Sequence, residues 1–130
     1  MNSAAVDIKD KINGTNGLTF ATNLFVGKEP VAPDNCVTVF DVPGQENGID
    51  LDGTNPYEYP NVQVRIRATK YVDGYTLAKN IESLLDGLYN TVINGITYTS
   101  IVIGMPATLL DYDENNRVRF IINFKLQRRE

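Results

Sequence analysis

The stretch "VQVRIRATKYVDGYTLAKNI" changes period halfway through, and that change restricts the fold more than any other feature of the chain. Val62, Val64 and Ile66 alternate with Gln63, Arg65 and Arg67, the pattern of a strand with one buried face. A few residues later the apolar positions Leu77, Ile81, Leu84, Leu85 and Leu88 recur at helical spacing. A one-sided strand followed at once by an amphipathic helix requires the helix to fold back and cover the apolar side of its own sheet. Asp73 is the expected N-cap of a helix over roughly residues 74 to 90.

The remaining segments extend this unit. Ser3 is a candidate N-cap for a short helix with Ala5, Ile8 and Ile12 on one side, stopped near Gly14. "LTFATNLFV" (18–26) and "CVTVFDV" (36–42) read as strands, joined by the proline-containing "KEPVAPDN" into an expected hairpin. Asn94-Gly95 is a turn signal ahead of a strand over 96–104, which Met105-Pro106 is expected to break. "DENN" turns into "RVRFIINFKLQ" (117–127), whose apolar side is Val118, Phe120, Ile122, Phe124 and Leu126. Helix, three strands, helix and two strands describe an α+β domain. Its sheet is expected to be mostly antiparallel, of about four to five strands, with two helices packed on one face. With 130 residues, 42% of them hydrophobic and 22% charged, the chain fits a single domain, 1–130, enclosing one core. Residues 43–60, "PGQENGIDLDGTNPYEYP", are read as one long loop within it.

Histidine is absent and Cys36 is the only cysteine. That removes the commonest general base and metal ligand, every Ser-His or Cys-His pair, and any intrachain disulfide. No phosphate-binding glycine motif is present. Cys36 opens a β-branched strand and reads as a packed side chain. Asp50, Asp52 and Gly53 imitate part of a calcium loop, but Tyr59 stands where the bidentate carboxylate belongs. Asp111 and Asp113 lie close together without the glycine such a loop needs. The Asp and Glu residues fall in turns, loops or helix surfaces, so the reading is of no enzyme, no metal and no cofactor. No basic leader with an apolar run opens the sequence, and no segment is long enough to span a bilayer, so a cytoplasmic site of synthesis and no membrane partner are expected.

Arg65, Arg67, Arg117 and Arg119 make two strand faces basic, whereas Glu29 to Val64 contains acidic residues and no basic one. Three readings fit this polarity: a solvated sheet face, nucleic-acid binding, or a head-to-tail contact between copies of the chain that closes into a ring. The net charge of −4 and the lack of stacking aromatics beside the arginines weigh against nucleic acid.

"PDNCVTVFDVPG" followed by "YPNVQVRIRATKYVDGYTLAKNIESLLDGL" resembles the minor capsid or tail terminator proteins of long-tailed bacteriophages. The matching features are Asp41 and Gly44, Tyr59 and Pro60, the strand at 62–67, and Leu85 to Leu88. The resemblance implies a structural assembly protein of the virion tail or neck, built in the bacterial host cytoplasm. Such a protein forms a homo-oligomer, a hexameric ring on the tail-tube protein. It stops tube growth, offers a docking surface to a neck or head-completion protein, and lets DNA pass through its lumen without specific binding. Under that reading Arg65, Arg67, Arg117 and Arg119, with Glu46, Asp50, Asp52, Tyr57 and Tyr59 of the loop, are candidate subunit or tube contacts. The alternatives are a head-side neck protein (a stopper or completion factor) and a small divalent-metal-binding cytoplasmic domain using Asp50, Asp52 or Asp111.

Overall fold

The computed structural model describes residues 1–45 and 57–129. The elements run α1 (Ala4–Ile12), β1 (Leu24–Val26), β2 (Cys36–Gln45), β3 (Tyr57–Ala68), α2 (Tyr71–Leu85), β4 (Leu88–Ile93), β5 (Ile96–Tyr112) and β6 (Val118–Arg129). All described strands join one sheet in the order β1-β2-β3-β6-β5-β4. Every pairing is antiparallel except β1 with β2, which is parallel.

The expected α+β architecture with two helices is present, but the sheet has six strands rather than four to five. The additional strand is β4. Gly87 takes φ +82°, a conformation that ends a helix, so Leu88 starts a strand instead of completing the helical stripe. At the other end α2 begins at Tyr71, and Asp73 lies within its first turn rather than capping it. Lys70 occupies the cap position without a side-chain hydrogen bond. The first helix follows its sequence signals closely, with Ser3 Oγ accepting from the Val6 amide.

Two strands also differ from the sequence pattern. Only Leu24–Val26 of the alternating 18–26 segment is strand, because Ala21 takes φ +69° and breaks the extension. It pairs with β2 in parallel, Leu24 beside Val37, so the two do not form a hairpin. β5 continues through Pro106 to Tyr112 instead of stopping at 104. Pro106 falls in the register shift of the β5–β6 pairing between Met105 and Thr108, where its missing N–H leaves no ladder bond unmade.

The core is continuous and one-sided. Val62, Val64 and Ile66 of β3 and Phe120, Ile122 and Phe124 of β6 pack against Ala5, Ile8 and Ile12 of α1 and Ala78, Ile81 and Leu85 of α2. Each large side chain withdrawn from water there contributes about 1.5–3 kcal/mol. α1 contacts the edge strands β1 and β4, so the sheet curls around it as a half-barrel.

Both ends of the segment expected as a loop, 43–60, are strand. Pro43 to Gln45 belong to β2 and Tyr57 to Pro60 to β3, while Glu46, Asp50 and Asp52 lie outside the described residues. The β2–β3 register shifts between Val42 and Gln45. Gly44 sits in that shift, and a Cβ there would stand 2.2 Å from the Tyr59 carbonyl oxygen. Backbone cannot yield as a flexible side chain can. Gly44→Ala is therefore expected to destabilise the fold by about 2–3 kcal/mol, read from urea denaturation.

Candidate functional site

A parallel β1–β2 pair obliges the chain to return to the end of the sheet from which it started. Residues 27–35 make that return without a helix, passing over the polar face of β3 and β6. A segment with Pro30 and Pro33 forms few backbone hydrogen bonds of its own, so its carbonyls need donors from elsewhere. The arginines supply them.

Arg67 uses all five guanidinium donors. Nη1 donates to the Pro30 carbonyl (2.6 Å) and Glu29 (3.1 Å), Nη2 to the carbonyls of Pro33 (2.6 Å) and Val31 (3.3 Å), and Nε to that of Asp34 (3.2 Å). Arg117 donates to the Val31 carbonyl (2.6 Å), Asp34 (3.2 Å) and Asp113 (2.7 Å). Arg119 grips Asp111 in a two-pronged pair at 2.6 and 2.7 Å and reaches Glu29 at 3.3 Å. Arg65 also reaches Glu29, at 3.3 Å, and lies over the Phe40 ring. Glu29 is thus shared by three arginines.

This arrangement changes how the candidate contact residues rank. Arg67 and Arg117 are only 3% and 6% exposed and are occupied within the chain. Arg65 and Arg119 keep a partly open edge. Tyr57 and Tyr59 are half-buried on β3, and Tyr59 lines a cavity of about 380 Å³ with Gly44, Asn61 and Lys125. The described carboxylates of the acidic segment also have partners inside the chain. Glu29 and Asp34 hold arginines, Asp41 accepts from the Ala5 amide, and Glu58 pairs with Arg128 at 2.9 Å. Asp111, considered above as a metal ligand, is engaged by Arg119.

The charges around Arg117 and Arg119 also set an acid limit. Hydrogen bonds from Arg119 hold the Asp111 carboxyl below its ordinary range. Burial pushes Asp113 up, but hydrogen bonds from the Arg117 backbone and guanidinium and from the Asn115 amide bring it lower overall. Both folded-state values lie below the unfolded ones, so their contribution is present above about pH 4 and is lost as pH falls through the folded values. The urea midpoint is expected to hold steady above that pH and drop below it. In Arg119→Met the part due to Asp111 should disappear. Burial pushes the Cys36 thiol up, consistent with a packed and unreactive side chain.

A second polar cluster, not anticipated from the sequence, lies at one end of the core. Asp7 is fully buried; it accepts from the Tyr98 hydroxyl and from Asn94 (2.8 Å), and lies 3.6 Å from Arg128. Arg128 also donates to Tyr98 (3.1 Å), Glu58 (2.9 Å) and the Asn2 carbonyl (3.0 Å). The one available signal was Asp7 beside Ile8 on the core side of α1. Both clusters join distant segments, and a cavity of about 170 Å³ beside the first is lined by Glu29, Arg67, Glu114, Arg117 and Arg119. Among the described residues no helix is long and apolar enough to cross a membrane.

The family model described as "Bacteriophage tail terminator protein" matches residues 11–129. No curated protein matches the sequence. Among solved structures, a chain described as "Virion of native gene transfer agent (GTA) particle" superposes with a TM-score of 0.66 at 12% identity, over 98% of this chain and 95% of that one. A second solved chain superposes with a TM-score of 0.54 at 12% identity, over 85% of this chain and 81% of the other. At such identities the likeness is one of fold.

Proposed function

The chain belongs to the bacteriophage tail terminator family, and on that premise we propose that it forms a ring on the end of the tail tube, stops tube polymerisation and offers the surface to which the head docks. The match over residues 11–129 carries this reading, which places the protein in the virion and makes its role structural. The fold it shares with a chain of a gene transfer agent virion supports the same setting.

A ring needs a heterologous contact, in which two different surfaces of one subunit meet those of its neighbours. The partly open arginines Arg65 and Arg119, together with the 43–60 region, remain proposed contacts with a neighbouring subunit or the tube. Tail-tube protein is one partner and a neck or head-completion protein the other, and DNA passes through the lumen without being gripped. A head-side neck role is separated from this one by binding partner.

In an in vitro assembly assay, added protein is expected to cap growing tubes and give a fixed length distribution, with rings visible at tube ends. Unchanged tube growth combined with binding to portal or adaptor protein would overturn the reading in favour of a neck protein.

A further inference from the structure

We propose that a water molecule is bound beside Glu29, where it bridges Arg65 Nε of β3 and Thr38 Oγ1 of β2 and completes the hydrogen bonding of the arginine face. The inference starts from a shortfall. Buried polar groups in folded proteins nearly always have a hydrogen-bond partner, and each exception calls for a physical cause. Among the described residues, two buried side-chain atoms have no partner within the chain: Thr38 Oγ1 and Arg65 Nε.

These two atoms belong to neighbours. Thr38 and Arg65 stand opposite each other in the β2–β3 ladder, so their side chains leave the same face of the sheet. Thr38 is fully buried. Next to it, the Val39 carbonyl accepts from Gly27 N–H, where the 27–35 segment begins. Arg65 cannot turn Nε elsewhere without loss. Nη1 donates to Glu29 at 3.3 Å and Nη2 to Gln63 at 3.1 Å, and the guanidinium lies 4.9 Å from the centre of the Phe40 ring.

The chemistry of the pair defines the ligand. Nε–H can only donate, whereas a threonine hydroxyl both donates and accepts. The two do not bond each other, so the bridging group must accept from Nε–H and also reach Oγ1. A water oxygen accepts from Arg65 while one of its hydrogens goes to Thr38. Two such bonds of about 2.8 Å span a gap of up to about 5.5 Å.

A small anion such as chloride is the competing occupant, because it accepts from both groups. Charge decides against it. The four guanidiniums of this face, Arg65, Arg67, Arg117 and Arg119, contact four carboxylates, Glu29, Asp34, Asp111 and Asp113. A face already balanced gains little from another buried negative charge and bears its desolvation. A neutral water avoids that cost. With Nε held in this way every nitrogen of Arg65 is engaged, so the edge it leaves open keeps one orientation.

The test is a high-resolution crystal structure of the full chain, with one crystal soaked in sodium bromide, together with urea denaturation of Thr38→Val. The expected result is one ordered oxygen within about 2.6–3.2 Å of both Arg65 Nε and Thr38 Oγ1, with no anomalous bromide signal there. Valine is β-branched like threonine and nearly the same shape, so the substitution reports on the hydroxyl. Loss of a hydroxyl that holds the water should lower the urea midpoint by about 0.5 M, whereas loss of an unpartnered one leaves it unchanged or raises it. A crystal structure without that oxygen, a direct Arg65–Thr38 bond, bromide at the site, or a midpoint that fails to fall would overturn the inference.

Discussion

Arg67→Met is expected to lower the unfolding free energy by about 3–5 kcal/mol. Arg67 is buried and makes five hydrogen bonds to the 27–35 segment. Methionine fills much of the volume but donates nothing. The carbonyls of Pro30, Val31, Pro33 and Asp34 lose a donor, and Glu29 keeps only Arg65 and Arg119. A buried acceptor without a donor costs about 1–3 kcal/mol unless water reaches it, and local loosening of the segment relieves part of the sum. Arg65→Met, which removes one partly exposed ion pair and a contact with Gln63, should cost a fraction of that. Urea denaturation of the two variants checks the ranking. Equal losses would mean that the 27–35 segment is held by something other than Arg67. A charge reversal at Arg67 thus tests folding before it tests assembly.

Asp7→Ala is expected to cost about 3–5 kcal/mol for a related reason. The buried carboxylate connects α1 to Tyr98 of β5, Asn94 of the β4–β5 turn and Arg128 of β6. Its removal leaves Arg128 with Glu58, Tyr98 and the Asn2 carbonyl, and deprives Tyr98 of its acceptor. Burial, together with the hydrogen bond to Asp7, pushes the Tyr98 phenol well above its ordinary range, so it stays a donor at every physiological pH. Tyr98→Phe should cost less, about 1–3 kcal/mol, because Asp7 keeps Asn94 and the Arg128 charge. The double variant should be less damaging than the two losses added, since each single change already breaks the shared bond. Full additivity would show that Asp7 acts through Asn94 and Arg128 alone.

What could be read from the chain depended on how local each feature was. The strand at 62–67, the core side of β6 and the capped first helix follow from spacing within a few residues. Side-chain direction repeats every two residues in a strand and about every 3.6 in a helix. β4 was hidden because Leu88 fits a helical stripe as well as a strand, and only the left-handed Gly87 separates the two. The extension of β5 past Pro106 was hidden because a proline breaks a strand or not according to whether a neighbour needs its N–H.

The arginines mark the limit of sequence reading most clearly. Their alternation along β3 and β6 correctly placed them on the polar side of the sheet. The charge asymmetry between segments suggested an acidic surface on a neighbouring copy as their partner. The folded chain itself provides Glu29, Asp34 and four backbone carbonyls, some 33–38 residues away from Arg67 along the sequence. The sequence by itself determined the α+β composition, the inward faces of the strands and helices, and membership of a structural phage family. The tertiary structure alone decided that β1 runs parallel to β2 and that residues 27–35 cross the arginine face. Local periodicity orients a side chain toward or away from the core, but strand neighbours and ion-pair partners depend on contacts between distant segments.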